Sequence, residues 1–230
     1  MSGRGIDANL RHAAQHLEYV AIADRIAADG VREVLDWGCG WGQVSALLAE
    51  RGVRPTLMDY VGEGAAEAEV PLDLYPGLAR FETADPVKLP YEDERFDAVL
   101  SCGVLEHVQD PDASLDELRR VLKPDGRLYV YKLPNRFSYL EAVARVAGLY
   151  YHGMLPNDTI YTLRSAREIV ERHGFRVLEA RYANMLPLTA GGSFANRLGR
   201  RIWALNRALA RIPGLRVLAT NIEVIAERAD

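Results

Sequence analysis

Three aspartates each stand at or just after the end of a short apolar run, where a side chain can reach a ligand. They are Asp36 in "VLDWGCGWG", Asp59 in "TLMDY" and Asp85 in "ETAD". Asp36 precedes the first of three closely spaced glycines by two residues, a poor position beside a pyrophosphate but a good one for facing a positive amine. Asp59 comes 23 residues later and can accept hydrogen bonds from both hydroxyls of a ribose. Asp85 can accept a hydrogen bond from an adenine amino group.

The glycines follow the pattern D-x-G-x-G-x-G, with Gly38, Gly40 and Gly42 at alternate positions. The dinucleotide-binding turn of dehydrogenases requires G-x-G-x-x-G, and here its third glycine position is Gln43. The turn therefore disfavours a nicotinamide-dependent oxidoreductase. It favours a ligand whose charge at this end of the site is positive.

Two histidines are the candidate catalytic residues. His107 lies in "LEHV", just after the apolar run "FDAVLSC", and His152 lies in the aromatic segment "LYYHG". Histidine titrates near neutral pH and can accept a proton from a hydroxyl. His107 is the first candidate base and His152 the second. The alternative for His107 is a packing role within its own loop.

The elements that position these residues follow from the pattern of apolar residues. A helical period covers 10–28 and ends at Gly30. Five short apolar runs then alternate with helical segments up to residue 134, which predicts a parallel, doubly wound sheet with its ligand at the carboxyl ends of the strands. The helix after the fourth strand is predicted to begin at Asp112 or Ser114 and to end near Pro124 and Gly126. Beyond 134, the pattern predicts helices at 138–147 and 165–173 and two final strands, "FRVLEARYA" and "VLATNIEVIAE".

In this order, the motifs resemble those of the class I S-adenosylmethionine-dependent methyltransferases. The chain is most similar to the small-molecule group (type 11-like) that includes ubiquinone- and menaquinone-biosynthesis enzymes. The resemblance is carried by "VLDWGCGWG", "LMDY", "TADPVKLPYEDERFDAVLSCGVLEHVQDP" and "LRRVLKPDGRLYV", which lie between residues 34 and 130.

The resemblance implies a Rossmann-like, doubly wound α/β sheet of seven strands, in which the last strand is antiparallel and helical insertions cap the substrate. It implies S-adenosyl-L-methionine as cofactor and S-adenosyl-L-homocysteine as product. The implied cofactor-binding residues are Asp36, Gly38, Cys39 and Gly40 around the methionine part, Asp59 at the ribose, Ala84 and Asp85 at the adenine, Ser101 at the end of the fourth strand, and Tyr60.

A metal site is not expected from the sequence. Some RNA-end methyltransferases build such a site from a run similar to Glu106–His107, together with a carboxylate three residues earlier and a distant histidine. Here the earlier position is Gly103, so no metal ligands are predicted.

The acceptor is expected to contact two segments added to the cofactor-binding core at 30–134. One is 135–165, whose polar and aromatic side chains suit the lining of a small-molecule pocket: Asn135, Arg136, Tyr139, Tyr150, Tyr151, His152 and Tyr161. About half of them are expected to serve packing instead. His12 and His16, one turn apart on the first helix, either touch the cofactor or lie at the surface.

The second added segment is 186–216. Residues 180–222 contain seven arginines and no acidic residue, whereas the whole chain has a net charge of −4. Within 194–216, apolar residues at helical spacing run beside the arginines. Three interpretations stay open: a helix packed on the sheet or in a homodimer, a lid over an anionic acceptor, and a peripheral membrane contact. Nucleic-acid binding is not expected, because the chain is acidic overall and contains no RNA-binding module.

Length and composition favour a single domain over 1–230, since 49% hydrophobic and 26% charged residues are ordinary values for a globular protein. No apolar run is long enough to span a bilayer, and the amino terminus shows no secretory signal. Cys39 and Cys102 are too few for a disulfide framework. These features predict a cytoplasmic protein.

The sequence therefore predicts methyl transfer from S-adenosylmethionine to a small-molecule acceptor, with a hydroxyl oxygen as the favoured target. N- or C-methylation of a lipid-linked or anionic metabolite is the alternative within the same class. A non-catalytic, methyltransferase-like partner subunit is the alternative from another class.

Overall fold

A seven-stranded mixed sheet forms the centre of the computed structural model, which describes residues 13–62, 78–149, 152–154, 157–186, 188 and 198–229. Its strands are β1 Glu33–Trp37, β2 Arg54–Tyr60, β3 Arg80–Thr83, β4 Phe96–Cys102, β5 Leu122–Pro134, β6 Phe175–Ala183 and β7 Asn221–Arg228. Their order is β3-β2-β1-β4-β5-β7-β6.

The first five strands are mutually parallel, and β7 runs antiparallel to both β5 and β6. The order reverses between β1 and β4, and this reversal opens a crevice at the carboxyl ends of those two strands. The predicted Rossmann-like α/β class, with seven strands and an antiparallel last strand, is confirmed.

Six α-helices flank the sheet in the described ranges. They are α1 Ala13–Ala28, α2 Gln43–Ala49, α3 Pro111–Val121, α4 Tyr139–Val146, α5 Leu163–Arg172 and α6 Gly199–Leu209. A 3₁₀ helix, Leu215–Leu218, precedes β7.

The predicted bounds of α3 are wrong at both ends. The helix is capped by Asp110, whose carboxylate accepts from the Ala113 N–H at 2.9 Å, and Pro111 occupies the first helical position, where a missing N–H costs nothing. It ends at Val121 because Leu122 is already extended and starts β5.

The core forms two apolar layers, one on each face of the sheet. In β1, Val34 packs with α1 and α2, whereas its neighbour Leu35 packs with α3 and α5. This alternation follows from the two-residue period of a strand. Because helices cover both faces of the sheet, its central strands are buried. The loops that follow these strands are therefore the segments that can contact a ligand.

Helix α6 is anchored by a buried amide. Asn206 accepts from the Met185 and Leu186 N–H groups and donates to the Asn184 side-chain oxygen at 2.8 Å. The predicted apolar stripe is only partly covered, because Leu205 is 52% exposed and Ile212 is 45% exposed.

Several expectations concern residues outside the described ranges. These are His12, Tyr150, Tyr151 and the start of the arginine segment at 194–197. Of the residues described, no helix combines the length and apolar character needed to cross a membrane.

Candidate active site

The predicted cofactor residues converge at the carboxyl edge of the sheet. In the strand register, Trp37 at the end of β1 pairs with Met58 on one side and Ser101 on the other. Tyr60 pairs with Thr83, so Ala84 and Asp85 follow β3 at the same edge. Residues that are distant in sequence therefore line one crevice.

The glycine turn is pinned to β2 and leaves space above it. The N–H groups of Gly38 and Cys39 both donate to the Met58 carbonyl, at 2.8 and 3.0 Å. Gly38 has φ +73°, and a Cβ there would lie 2.4 Å from Val104 Cγ2. A Cβ on Gly40, in contrast, would have no atom within 4 Å. The turn thus packs closely against the loop after β4 at Gly38 and offers open backbone to a ligand at Gly40.

Asp59 ties this turn to the neighbouring strands. Its Oδ2 accepts from the Gly40 N–H at 3.1 Å and lies 3.3 Å from an Arg80 guanidinium nitrogen, while Oδ1 accepts from the Tyr60 N–H. The Asp59 carboxylate retains 17% exposure at the crevice. Arg80 could not be predicted from the sequence, because a partner on the next strand leaves no local signal.

Asp36 lies beneath the turn rather than on its surface. It is buried, and its carboxylate accepts from the Ser45 hydroxyl at 2.6 Å. Burial raises the pKa of Asp36 to about 6, against the Ser45 hydrogen bond that lowers it, and the nearby Asp59 charge raises it further. Burial, with the charges of Asp36 and Asp59, also raises the pKa of Cys39, so this thiol stays protonated. A cation bound above the turn would relieve the paired negative charge.

Ser101 supplies a buried hydroxyl at the end of β4. Its Oγ is inaccessible to solvent and has no hydrogen-bond partner among the described residues. A buried hydroxyl without a partner costs free energy, so such a group at a crevice fits a position that a bound ligand completes.

Ala84 and Asp85 are both exposed. Asp85 Oδ1 accepts from the Val87 and Lys88 N–H groups at 3.0 and 2.8 Å, and these bonds lower its pKa. The aspartate therefore shapes the turn after β3. Its predicted bond to an adenine amino group stays a prediction.

Next to the turn, the loop after β4 carries Glu106 and His107. His107 Nδ1 lies 2.8 Å from Asp158 Oδ1, and its Nε2 lies 3.9 Å from Glu106 Oε1. Burial raises the pKa of Glu106 to about 8, and its Oε2 has no hydrogen-bond partner in the described part of the chain. The Thr159 N–H donates to the Glu106 carbonyl at 2.8 Å, which fastens the segment after β5 to this loop.

The second candidate base lies directly beside the first. The rings of His107 and His152 stack with their centroids 5.9 Å apart and an interplanar angle of 22°. His152 Nδ1 lies 2.7 Å from Glu141 Oε1 on α4. The two histidines were predicted as separate candidates, and their carboxylate partners, Asp158 and Glu141, were not predicted from the sequence. The structure instead places both histidines in one cluster.

Most of the other residues predicted to contact the acceptor have a structural role. Asn135 is buried and donates to the Val217 and Ala219 carbonyls, the Tyr139 hydroxyl donates to the Met185 carbonyl at 2.6 Å, and Tyr161 is buried. Arg136 is exposed. His16 on α1 is half-buried, rather than on the open surface.

Comparisons with known proteins agree with this arrangement. A family model described as "Methyltransferase domain" matches residues 35–130. A ubiquinone biosynthesis O-methyltransferase of Xylella fastidiosa is 34% identical over 151 residues, which cover 64% of this chain and 60% of that protein. A demethylmenaquinone methyltransferase of Clavibacter sepedonicus is 36% identical over 138 residues, covering 60% of this chain and 55% of that protein. The chain thus spans less than two thirds of the length of either relative.

Solved structures of low identity share the fold. The 1,6-didemethyltoxoflavin-N1-methyltransferase of Burkholderia thailandensis, solved with 1,6-didemethyltoxoflavin and S-adenosylhomocysteine, is 19% identical, with a TM-score of 0.61 over 97% of this chain and 82% of that chain. A possible histamine N-methyltransferase of Thermotoga maritima is 18% identical, with a TM-score of 0.60 over 96% and 92%. In its motifs, its matched segment and its fold, this chain is similar to the class I S-adenosylmethionine-dependent methyltransferases.

Proposed function

We propose that this protein transfers a methyl group from S-adenosylmethionine to a small-molecule acceptor, at a hydroxyl oxygen. The observation that carries the proposal is the crevice formed by the glycine turn, Asp59 and Ser101, within a domain that matches a methyltransferase family model. The named relatives act in quinone biosynthesis, which supports a small-molecule acceptor.

The residues present fit the cofactor. Open backbone at Gly40 suits the amino-acid part, the partly exposed Asp59 carboxylate suits the ribose hydroxyls, and the Ser101 hydroxyl lacks a partner that a ligand would supply. The ionised form of Asp36 is destabilised by burial, so a nearby positive charge would be favoured. When bound, the cofactor supplies a methyl group on a positively charged sulfur.

The protein's share of the chemistry is alignment and removal of a proton. In-line displacement needs the acceptor oxygen held opposite the leaving sulfur, with water excluded. We assign contact with the acceptor and removal of its proton to His107 and His152. Carboxylates lie 2.8 Å from Nδ1 of His107 and 2.7 Å from Nδ1 of His152 and fix the two rings, so that an imidazole can receive the proton of an acceptor hydroxyl.

Oxygen is favoured over nitrogen or carbon because the site places these titratable groups beside the cofactor crevice, and a hydroxyl requires loss of its proton. The Xylella relative is named as an O-methyltransferase, whereas the Clavibacter relative's name specifies no atom. Methylation of nitrogen or carbon is the alternative outcome when the product is identified by mass spectrometry and nuclear magnetic resonance.

Calorimetric titration with S-adenosylhomocysteine tests the cofactor site. Asp59→Asn removes the charge that faces the crevice, and we expect binding to weaken by about 10- to 100-fold, the usual effect of losing a hydrogen bond to a charged group. Asp97→Asn is the matched control. Asp97 also accepts backbone N–H groups and pairs with a basic residue, Lys123, but lies at the opposite end of the sheet.

Failure of the wild type to bind S-adenosylhomocysteine, or equal binding by Asp59→Asn, would contradict the cofactor assignment. Binding without turnover of any phenolic or catecholic acceptor would favour the non-catalytic partner subunit. Tight binding of a nicotinamide dinucleotide instead would favour an oxidoreductase.

A further inference from the structure

We propose that Glu106, His107 and His152 form a binding site for one divalent transition-metal ion of the zinc or iron class. The inference deepens the proposed function, on which its catalytic role rests: the ion would hold the oxygen of the acceptor next to the cofactor crevice.

The three side chains offer the donors that such an ion prefers. One carboxylate oxygen and two imidazole nitrogens all lie within 4.8 Å of one another. Two histidines with one carboxylate are the ligand set of catalytic zinc sites and of non-haem iron sites. With bonds of about 2.1 Å, the donors of a tetrahedral site stand about 3.4 Å apart, so an ion would draw these three together by roughly 1 Å.

Glu106 provides independent support because it is a buried carboxylate with one oxygen that lacks a hydrogen-bond partner among the described residues. Its side chain is only 3% exposed, and the oxygen without a partner is Oε2. Burying a carboxylate with an unsatisfied oxygen is costly. A cation held at its other oxygen, 3.9 Å from His107 Nε2, would compensate that cost.

The surroundings of the two histidines match those of metal ligands. A ligating imidazole usually gives its second nitrogen to a carboxylate, which fixes the ring and its tautomer. Asp158 does this for His107 at 2.8 Å, and Glu141 does it for His152 at 2.7 Å. Asp158 also accepts from the Gly153 N–H at 2.9 Å, so it positions both histidine-bearing segments.

The site has room for an acceptor. The side chains of His107 and His152 are 40% and 26% exposed, so an ion bound to three protein ligands would keep open positions on its solvent side. An acceptor hydroxyl bound there would ionise more readily and release its proton to water, so with the ion bound the two histidines would act as ligands and not as the base. Its oxygen would then take the methyl group as the sulfur–methyl bond breaks, leaving a neutral thioether.

The sequence pattern could not reveal this set. The position three residues before Glu106 is Gly103, so the linear motif for a metal site is incomplete. The third ligand comes from His152, which reaches the loop because the Thr159 and Gly153 bonds fold its segment back. The expectation that the chain has no metal ligands rested only on the spacing of residues along the sequence.

Titration of the metal-free protein with Zn²⁺, followed by calorimetry, tests the proposal. We expect one Zn²⁺ site per chain. The Zn²⁺ affinity should fall by about 100-fold or more in Glu106→Gln and in His152→Asn, since even the loss of a carboxylate that supports a ligand lowers metal affinity by about 10- to 100-fold. The Zn²⁺ affinity of the Asp158→Asn variant should accordingly fall by about 10- to 100-fold. The matched control is His173→Asn, because His173 also pairs through Nδ1 with a carboxylate, Asp116, yet lies away from the cluster.

Equal Zn²⁺ affinity in wild type, Glu106→Gln and His152→Asn would overturn the proposal, as would the lack of a stoichiometric site in the wild type. Co²⁺ substitution gives a second readout, since its visible absorption should change in the ligand variants and not in His173→Asn. Binding of S-adenosylhomocysteine, measured on the same samples, shows that the variants are folded. It also separates failure of the metal site from failure of the proposed function.

Discussion

At the scale of single residues, the crevice is organised by charge. Asp36 is buried and Asp59 stands beside the glycine turn, so the site holds two carboxylates with one guanidinium, that of Arg80, paired to Asp59. Burial raises the pKa of Asp36 to about 6, and the nearby Asp59 charge adds to this rise. A ligand with a positive group at the same place should therefore bind in competition with a proton.

This competition predicts a pH dependence of cofactor binding. The folded-state pKa of Asp36 is about 6, above its ordinary value of 3.8, so the carboxylate is protonated below pH 6 and ionised above it. Binding of S-adenosylhomocysteine, whose amine is positive throughout, should be constant from pH 7 to 8. It should weaken by about tenfold at pH 5. Calorimetry at each pH provides the measurement.

Asp36→Asn isolates the effect, because the amide keeps the shape and cannot titrate. The variant should bind more weakly at pH 7.5 and show no tenfold loss at pH 5. A wild type and an Asp36→Asn variant with parallel pH profiles would assign the titration to another group.

At the scale of elements, the turn between β1 and α2 joins the cofactor crevice to the acceptor loop. Gly38 packs directly on Val104, three residues before His107, while the turn's N–H groups are fixed to β2. Any shift of the turn therefore moves the loop that carries the acceptor-side residues.

Substitution of Gly38 tests this coupling. Gly38→Ala combines a left-handed backbone with a Cβ placed 2.4 Å from Val104 Cγ2, and should lower the free energy of unfolding by about 3 kcal/mol. Gly52→Ala, at φ +76° with no atom within 4 Å of the added Cβ, should lose only about 1 kcal/mol. Chemical denaturation measures both.

Val104→Ala should restore about 1 kcal/mol in the Gly38→Ala background, because it removes the two methyl groups that clash. Additive effects of the two substitutions would show that backbone strain alone accounts for the loss, and that the turn and the loop are not coupled.

The elements also show what the sequence could predict. The parallel part of the sheet and the edge shared by Asp36 and Asp59 follow from apolar periods and ordered motifs, which are local. The antiparallel last strand and the position of Ser101 were implied by the resemblance to the methyltransferases. The bounds of α3 were wrong because Asp110 and Pro111 form a stronger start than Asp112 or Ser114. The pairs Arg80–Asp59 and Asp158–His107 join distant segments and leave no periodic signal. The same is true of the Asn206 anchor of α6.

At the scale of the whole molecule, charge is separated between the catalytic edge and the arginine segment. Asn206 anchors α6, and this leaves Arg200, Arg201 and Arg207 exposed. None of the three pairs with an acidic group among the described residues. The Arg207 guanidinium lies 5.9 Å from the centre of the Trp203 ring, and Leu205 and Ile212 are exposed nearby. Unpaired arginines beside exposed apolar side chains suit contact with an anionic membrane surface or substrate.

We expect the protein to sediment with vesicles of phosphatidylglycerol but not with vesicles of phosphatidylcholine. Binding to the vesicles should weaken as the salt concentration is raised. Replacing Arg200, Arg201 and Arg207 with alanine should weaken vesicle binding by about 100-fold, at about 1 kcal/mol for each charge near the surface. The matched control replaces Arg164, Arg167 and Arg172 on α5, which are also exposed but pair with Glu168, Glu171 and Asp112.

If the two triple variants lose vesicle binding equally, the loss reflects the change in net charge, and α6 has no special role in membrane contact. Unchanged vesicle binding in the α6 variant would exclude this helix as a membrane contact. Sedimentation velocity on the same proteins would then decide between the remaining interpretations. A dimer lost with the α6 arginines would assign the helix to a homodimer interface, and a monomer with weakened acceptor affinity would assign it to an anionic substrate. A monomer with unchanged acceptor affinity would assign α6 to packing on the sheet, with its arginines solvated.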